Sequence, residues 1–442
     1  MVNIINPKNC CGCTACYSIC TYDAISMKPD ALGFLYPEVD TQKCVDCGLC
    51  ENVCAFNDLY DTSLNLPNPE TYGVRHKEMS QIMQSRSGAM FVAISDYILE
   101  RSGVVYGAGY EGHFRVVHKR AITKEERDEF RGSKYVQSDL KDVFRHVKDD
   151  LKRGMTVLFS GTPCQTSGLN SYVGKKLREN LVLIDIVCHG VPSPYIWRDY
   201  IAYLEKKEGD VIVEVNFRDK LKFGWKAHRE TFKFGLGETV RELKSTSPES
   251  YDLKVSPQKN APEMADSSQN GRDMTINQAI DFRSISSSVP KEEFSDGLGG
   301  VKMFSYIFYK HIMFRHSCAD CHFCNTRRPS DITLADFWHF ENVDPAFNAD
   351  DKGANLVLVN TAKGREIFEA VRDQLNVIPV DLEKCMQGNL RRPSPSHPQR
   401  WKFEEYYSVN GFEKTMKRFG FIGWRYRLAL IKKKTITYLK SI

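Results

Sequence analysis

Residues 10–20 read CCGCTACYSIC and residues 44–54 read CVDCGLCENVC, so the spacing C-x2-C-x2-C-x3-C occurs twice near the start of the chain. A 4Fe–4S cluster requires four soft thiolates, and this spacing is the run by which bacterial ferredoxins supply them. In such runs the fourth cysteine binds the other cluster. We therefore predict a ferredoxin-like domain of the α+β class over residues 1–58, holding two 4Fe–4S clusters.

This crossing of the fourth cysteine divides the ligands between the two clusters. The first cluster would be bound by Cys10, Cys13, Cys16 and Cys54. The second would be bound by Cys20, Cys44, Cys47 and Cys50. Two zinc sites are the alternative, although zinc usually takes two separated C-x2-C pairs rather than this run. Cys11 is left over, and the spacing gives it no role beyond that of a packed neighbour.

The cysteines are concentrated rather than spread along the chain. Of the 15 cysteines in 442 residues, nine lie within the first 54 residues, and the N-terminus has no apolar signal core. This clustering indicates metal binding rather than a secreted disulfide framework, so we expect a cytoplasmic protein. No stretch approaches the roughly 18 apolar residues that a membrane span needs.

The net charge of +5 is unevenly distributed. Residues 411–442 contain nine Lys or Arg against one Glu, a charge of +8, which leaves −3 for the rest of the chain. The body is therefore not expected to bind nucleic acid. The tail could lie on an anionic membrane surface or on an acidic partner, but a solvated helix packed on the domain is the favoured interpretation.

The chain beyond the first domain follows an α/β pattern. We predict a linker at 59–70, a first part of the α/β region at 71–154, a second part at 155–400 and a basic aromatic tail at 401–442. Within the second part, residues 245–293 are rich in Ser, Pro, Asn, Gln and Lys and show neither a helical nor a strand period. They are therefore expected to form a loosely ordered or disordered insertion.

Alternating helical and strand patterns predict a sheet. Helices are expected over 88–101, over 138–154 with Ser138 as the cap, from Ser193-Pro194 onward, and from Arg365 to Leu375. Strands are expected at 103–109, 155–160, 181–187, 331–335 and 355–359. Short β-branched runs of this kind are typical of strands buried in a mostly parallel or mixed sheet.

A second cysteine group consists of Cys318, Cys321 and Cys324. Three thiolates fall short of a closed tetrahedral site, so a fourth ligand has to come from elsewhere. Cys164 and Cys188 are the candidates, because each follows a predicted strand at the sheet edge where open parallel sheets bind ligands. We predict a third iron–sulfur cluster. The alternative is a zinc site, with Cys164 and Cys188 as small buried hydrophobes.

Three glycine-containing segments fall near the same predicted edge. Ser87-Gly88 opens a helix, where free N–H groups favour a phosphate. The segment Arg131, Gly132, Ser133, Lys134 and Tyr135 offers two cations and a hydroxyl, and Gly161-Thr162-Pro163 forms a further turn. None of them matches a dinucleotide fingerprint. The pattern therefore suggests an anionic cofactor without identifying it.

Five motifs occur together in one order. They are RGSKYVQ at 131–137, SGTPCQ at 160–165, CHGVPSP at 188–194, FRDK at 217–220 and DITLADFW at 331–338. In this combination the chain resembles the beta subunit of the coenzyme F420 (deazaflavin) hydrogenase/dehydrogenase family over about residues 71–340. The polar insertion interrupts that resemblance, and nothing in the motifs shows a deazaflavin pocket.

The resemblance implies an FAD bound by the α/β region beside an iron–sulfur cluster. It suggests Cys164, Cys188, Cys318 and Cys321 as the ligands of that cluster, with Cys324 as an extra thiol. It places the flavin contacts on Ser87 and Gly88, on residues 131–135, and on Thr162 and Gln165. Flavins accept a hydride and release single electrons, so this pairing is chemically reasonable.

The sequence thus predicts an iron–sulfur flavoprotein oxidoreductase. A reduced carrier or small molecule would react at the flavin, and a redox protein or enzyme would dock at the ferredoxin-like domain. The alternative is a non-catalytic electron-transfer module that docks on a partner enzyme, for example one of a surface-polysaccharide pathway. No catalytic residue is assigned: His189 could shuttle protons, but a histidine hydrogen-bonded in a loop is at least as good an interpretation.

Overall fold

The computed structural model describes residues 1–235, 291–293 and 303–423. In the N-terminal domain, strands β1 (Ile25–Pro29) and β2 (Leu35–Val39) form an antiparallel hairpin. Each cysteine run leads into a short helix, α1 (Ala15–Ile19) or α2 (Leu49–Asn52). The residues before these helices, Thr14 and Gly48, have a left-handed backbone, so the chain turns sharply within each run.

The remaining strands form two sheets. In chain order they are β3 (Asn65–His76), β4 (Val104–Glu111), β5 (Arg115–Ala121), β6 (Val157–Gly161), β7 (Leu181–Ile186), β8 (Ile212–Asn216), β9 (Thr231–Phe234), β10 (Lys291–Glu293), β11 (Ile332–Asp336), β12 (Asn355–Thr361) and β13 (Leu375–Pro379). The large sheet has the order β13-β3-β12-β11-β7-β6-β4-β5, and the small one β10-β9-β8. The central strands β11, β7, β6 and β4 are parallel neighbours, whereas the outer pairs are antiparallel. The large sheet is therefore mixed, as the sequence allowed.

Helices cover both faces of the large sheet. Those after the N-terminal domain are α3 (Met79–Gln84), α4 (Met90–Leu99), α5 (Lys124–Asp128), α6 (Val143–Lys152), α7 (Pro163–Val173), α8 (Pro194–Glu208), α9 (Lys220–Phe223), α10 (Met303–Phe308), α11 (Ala362–Val371), α12 (Leu382–Cys385) and α13 (Arg400–Arg418). Helices α4 and α11 pack on one face, and α6 and α7 on the other. Ala15 and Val53 of the N-terminal domain join the second of these cores.

The predicted boundaries of two helices are wrong. Ser138 does not cap α6, because Asp142 holds that position and the Ser138 hydroxyl is hydrogen-bonded to His118 instead. The helix expected over 365–375 begins earlier, since the Thr361 side chain accepts the Gly364 N–H as its cap. It also ends earlier, because the chain enters β13 at Leu375. The Ser193 cap of α8 is confirmed, with its hydroxyl accepting the Ile196 N–H.

The segment expected to be a linker contributes to the sheet. Strand β3 begins at Asn65, inside the predicted range 59–70, and the Asn65 side chain donates to the Arg328 carbonyl at 2.9 Å. The polar insertion lies outside the described residues except for β10, which pairs with β9. Residues 424–442 also lie outside them.

The described part of the basic tail packs on the domain. Helix α13 lies against α8 and buries Phe403, Phe412 and Met416 in the same core. In the described parts of the chain, no helix combines the length and the apolar character that crossing a membrane would require.

A buried ion pair joins the strands of the large sheet. Asp331, which is fully buried just before β11, accepts hydrogen bonds from Arg178 Nη2 at 2.8 Å, the Leu183 N–H at 2.8 Å and the Thr361 hydroxyl at 2.7 Å. Arg178 precedes β7, Leu183 lies within β7, and Thr361 is the last residue of β12. Each carboxylate oxygen is thus used to fix neighbouring strands in register.

Replacing Asp331 with Ala should therefore destabilise the fold strongly. Removing one partner of a buried pair leaves an uncompensated charge on Arg178, a loss of about 3–5 kcal/mol. Anaerobic urea unfolding should show a much lower midpoint than for wild type. Asp149→Ala, which breaks an exposed pair with Lys152, is the matched control and should cost less than about 1 kcal/mol. Equal midpoints for the two variants would contradict this role of Asp331.

Candidate functional site

A cavity of about 540 Å³ opens at the carboxyl ends of the central parallel strands. Gly107 and Ala108 of β4, Ser160 and Gly161 of β6, and Asp336 of β11 form part of its wall. In open α/β sheets this edge is where ligands bind, because the loops that leave the strands diverge there. The volume lies within the usual range for cofactor and small-molecule sites.

The cavity brings together most of the residues predicted to contact a cofactor. The lining includes Ser87, Arg131, Gly132, Ser133, Lys134, Tyr135, Thr162 and Gln165. Gly88 is not part of this wall: a Cβ there would lie 2.2 Å from the Val74 carbonyl oxygen, so this glycine permits close packing of α4 on β3. The Ser87 hydroxyl is already used, since it donates to the Ala354 carbonyl at 2.5 Å.

The segment 131–135 is held in place before any ligand binds. Arg131 Nε donates to Asp128 at 2.7 Å, and its Nη1 donates to Gln84 at 2.8 Å. Lys134 donates to the carbonyl oxygens of Glu129 and Arg131, and burial lowers the pKa of Lys134 to about 8. Gly132 has φ +78°, a conformation that favours glycine, so the turn that presents both cations depends on it.

A chain of hydrogen bonds fixes the polar groups at the end of β6. His118 Nε2 lies 3.0 Å from the Ser160 carbonyl oxygen, which can only accept, so the Nδ1 atom accepts from the Ser138 hydroxyl at 2.8 Å. The Gln165 amide donates to Ser138 at 3.0 Å, and its oxygen accepts the Thr162 N–H at 3.0 Å. His118 was not predicted as a site residue, because one histidine in a strand of mixed pattern gives no sign of facing a cavity.

Five cysteines gather beside this chain. Cys188 lines the cavity, and its buried thiol lies within electrostatic reach of Cys164, Cys318 and Cys321. Cys324 lies within electrostatic reach of Cys321 and Cys188. The Cys164 sulfur lies 3.2 Å from the Thr162 hydroxyl, and the Cys318 sulfur accepts the Val191 N–H at 3.4 Å. Burial raises the pKa of Cys188, so its thiolate requires a compensating cation.

The N-terminal cysteines lie in two places in the structure. Cys16 lies within electrostatic reach of Cys10, Cys13 and Cys54. The other four, Cys20, Cys44, Cys47 and Cys50, line a separate small cleft. Their roles as cluster ligands remain predictions.

Cys11, which the spacing left without a role, connects two of these groups. Its buried thiol lies in a small core against which both Cys13 and Cys164 pack. Phe56, Tyr60 and Phe323 enclose it in a small apolar cluster. Cys11 thus lies between the first N-terminal group (Cys10, Cys13, Cys16 and Cys54) and the cavity-side group (Cys164, Cys188, Cys318, Cys321 and Cys324).

His189 also lines the cavity, one residue after Cys188. Its Nδ1 lies 3.0 Å from the Asn389 oxygen, and its Nε2 lies 2.8 Å from Nε2 of His311. Burial and the neighbouring His311 lower the pKa of His189. These contacts hold the ring in place whether or not it takes part in a reaction.

Comparison with known protein families identifies the family to which this chain belongs. The model for the C-terminal region of the coenzyme F420 hydrogenase/dehydrogenase beta subunit matches residues 154–383, just over half of the chain. The chain belongs to this family. A 4Fe–4S dicluster domain matches residues 9–57, so this family member is an iron–sulfur protein whose clusters lie at its N-terminus. Both matches confirm the resemblance drawn from the motifs, and the family is associated with oxidoreductase activity.

More distant comparisons add little to this family assignment. No curated protein matches the chain. Among solved structures, a chain of the F420-reducing [NiFe] hydrogenase complex from Methanosarcina barkeri, determined with xenon, is 12% identical with a TM-score of 0.39. The match covers 83% of this chain and 97% of that one. A likeness at this level supports no further inference.

The neutral state of His118 should make the site sensitive to acid. Burial lowers the pKa of His118 to about 4, whereas an unfolded histidine titrates near pH 6.5. Between these values the unfolded chain binds a proton that the folded chain does not, so stability falls as the pH falls through this window. His118→Gln should shrink the difference in anaerobic melting temperature between pH 7.5 and pH 5.5.

His146→Gln, at an exposed position on α6, is the matched control. It should leave that difference as in wild type. If both variants respond to pH like wild type, His118 does not link proton uptake to unfolding.

Proposed function

We propose that this protein is an FAD- and iron–sulfur-dependent oxidoreductase that passes electrons between a flavin in the cavity and 4Fe–4S clusters. One observation supports this most strongly: a single cavity is lined both by the residues predicted to bind flavin and by Cys188, a predicted cluster ligand. A flavin held there would lie against the cluster with which it exchanges electrons.

The residues of the cavity fit FAD. Arg131 and Lys134 place two cations on one wall, and the left-handed turn at Gly132 has open space where a side chain would project. An anionic diphosphate suits this combination of cations and accessible backbone. Thr162 and Gln165 would hold the reactive part of the cofactor near Cys164 and Cys188. When bound, FAD supplies hydride transfer to or from a substrate and single-electron transfer to a cluster.

The cavity-side cysteines fit a third 4Fe–4S cluster. The donor set is purely thiol, which favours iron–sulfur or zinc over harder metals. Cys164, Cys188, Cys318 and Cys321 are the ligands we favour. Cys324 remains the alternative to Cys164, because both sulfur atoms lie next to other members of the group.

The electrons would leave through the N-terminal domain. Cys11 joins the cavity-side group to the first N-terminal group, and Cys54, a predicted ligand of the first cluster, lies in the chain segment after α2. At the far end Cys47 is exposed between the exposed side chains of Val45 and Leu49. We propose that a redox protein or enzyme docks there, and that a reduced carrier or small-molecule substrate reacts in the cavity.

The first test is to identify the cofactors of protein purified without oxygen. Heat-released supernatant should show the absorbance of a flavin, at about one equivalent per chain, and the flavin should be FAD by chromatography. A brown protein that releases no flavin would sink the flavoenzyme proposal. It would favour a non-catalytic electron-transfer module instead, with the α/β region as a docking scaffold.

Iron content tests the third cluster. Three 4Fe–4S clusters predict about twelve iron atoms per chain. Cys188→Ala and Cys321→Ala should each lose about four of them while the N-terminal clusters persist. Cys385→Ala is the matched control, because this buried cysteine lies in a different core from the proposed ligands. About eight iron atoms in wild type would remove the third cluster, and about eight iron atoms together with about one zinc atom would replace it by a zinc site.

A further inference from the structure

We propose that Arg86 and Arg218 form a second binding site in the cavity, one that takes a carboxylate or phosphate group of the substrate. The inference rests on the proposed function, since it treats the cavity as shared by a flavin and a second reactant. Arg86 belongs to none of the sequence motifs, and Arg218 enters them only as part of FRDK.

Arg218 connects three segments of the cavity wall. Its Nη1 donates to the carboxylate of Asp336 at the end of β11 and to the Tyr135 hydroxyl at 3.2 Å. Its Nη2 donates to the Trp225 carbonyl at 3.2 Å. The residue is only 6% exposed, yet its Nε has no hydrogen-bond partner among the described residues.

Arg86 lies beside it without an acid of its own. Its Nη1 and Nη2 donate to backbone carbonyls, those of Arg218 at 3.4 Å and of Trp225 at 2.6 Å. Its buried Nε also lacks a partner within the part of the chain that the structure describes. Burial lowers the pKa of Arg86 to about 10, which leaves the side chain charged at neutral pH.

The charges at this end of the cavity do not balance. Arg218 forms an ion pair with Asp336, and Asp336 is also the acidic side chain that acts on Arg86 among the residues the structure describes. A partly buried cation without a counter-ion is costly, and two buried N–H donors without acceptors add to that cost. An oxyanion would supply both the missing charge and the missing acceptors.

The neighbouring aromatic residues make this end of the cavity rigid. Trp338 is stacked between Trp225, at 4.5 Å between ring centroids, and His228, at 5.6 Å. The Arg218 guanidinium lies 5.4 Å from the Trp338 ring, and His228 is hydrogen-bonded to Tyr309. Burial and the two arginines lower the pKa of His228 to about 3, so the ring stays neutral at neutral pH.

This arrangement differs from the cations on the flavin side. Arg131 is paired with Asp128 at 2.7 Å, and Lys134 lies near Glu129. Arg131 thus has a carboxylate at ion-pair distance before a ligand arrives, whereas Arg86 donates only to backbone carbonyls within the described residues. The unbalanced charge therefore marks the Arg86 end as the place where a separate anionic group is needed.

Calorimetric titration of the flavin-loaded protein tests the proposal, with inorganic phosphate and succinate as probes at constant ionic strength. Wild type should bind about one equivalent of at least one probe, and the preferred probe distinguishes a phosphate from a carboxylate substrate. Arg86→Gln should weaken this binding about tenfold or more, the effect of losing a charge-assisted contact. Arg86→Lys keeps the charge and should retain most of the affinity.

Arg101→Gln is the matched control, because it removes one exposed arginine that stacks on Tyr97 outside the cavity. It should bind the probes like wild type. No binding of either probe to wild type overturns the proposal whether or not the variants fold, as does unchanged binding by a folded Arg86→Gln protein.

A third outcome would reassign the site. If Arg86→Gln weakens FAD binding tenfold and the probes compete with FAD, the arginines hold the diphosphate of the cofactor and the second-site proposal is wrong. Repeating the titration on flavin-free protein separates the two proposals. Probe binding that depends on Arg86 in a chain that never binds flavin would support the anion site while removing the proposed function.

Discussion

The buried guanidinium of Arg315 joins the iron–sulfur domain to the α/β domain. Its Nε donates to the Cys10 carbonyl at 2.8 Å, and its Nη2 donates to the Leu35 carbonyl at 2.9 Å, within the N-terminal domain. Its Nη1 donates to Gln137 at 3.1 Å, at the edge of the cavity. Arg315 also stands three residues before Cys318. One planar group with five fixed donors thereby sets the first cysteine run against the cavity-side cysteines, which a flexible lysine could not do.

The short path between the cysteine groups depends on this docking. Cys11 reaches both Cys13 and Cys164 only because α7 approaches the first cysteine run closely. Gly168 of α7 makes that approach possible, since a Cβ there would lie 2.6 Å from the Cys13 sulfur. Cys11, to which the cysteine spacing gave no role, therefore lies at the contact between the two domains. The parallel strands complete the site, because their carboxyl ends bring Thr162, Cys188 and Asp336 to one cavity.

Much of the site could be predicted from the sequence, but not all of it. The cysteine spacing reports ligands directly, since a cluster requires soft donors at fixed intervals. Strands β4, β6, β7, β11 and β12 were predicted because continuous β-branched runs mark buried strands, whereas β3, β5, β8, β9 and β13 were not. Ser138 was misassigned, because a serine before an apolar helical pattern resembles a cap whether its hydroxyl faces the helix or, as here, His118. The missing ion pair of Arg86 could not be predicted from the sequence, because it depends on which acidic residues lie near Arg86 in the folded protein.

The sequence by itself determined the iron–sulfur domain, the family and the residues available for a cofactor, because these depend on the chemistry and spacing of residues close together in the chain. Only the tertiary structure decided which distant residues meet. It placed Cys11 between two cysteine groups, Cys188 in the wall of the predicted flavin cavity, and Arg86 beside Arg218 with a single shared carboxylate. Such contacts arise from strand order and domain docking, and they join residues that lie tens to hundreds of positions apart.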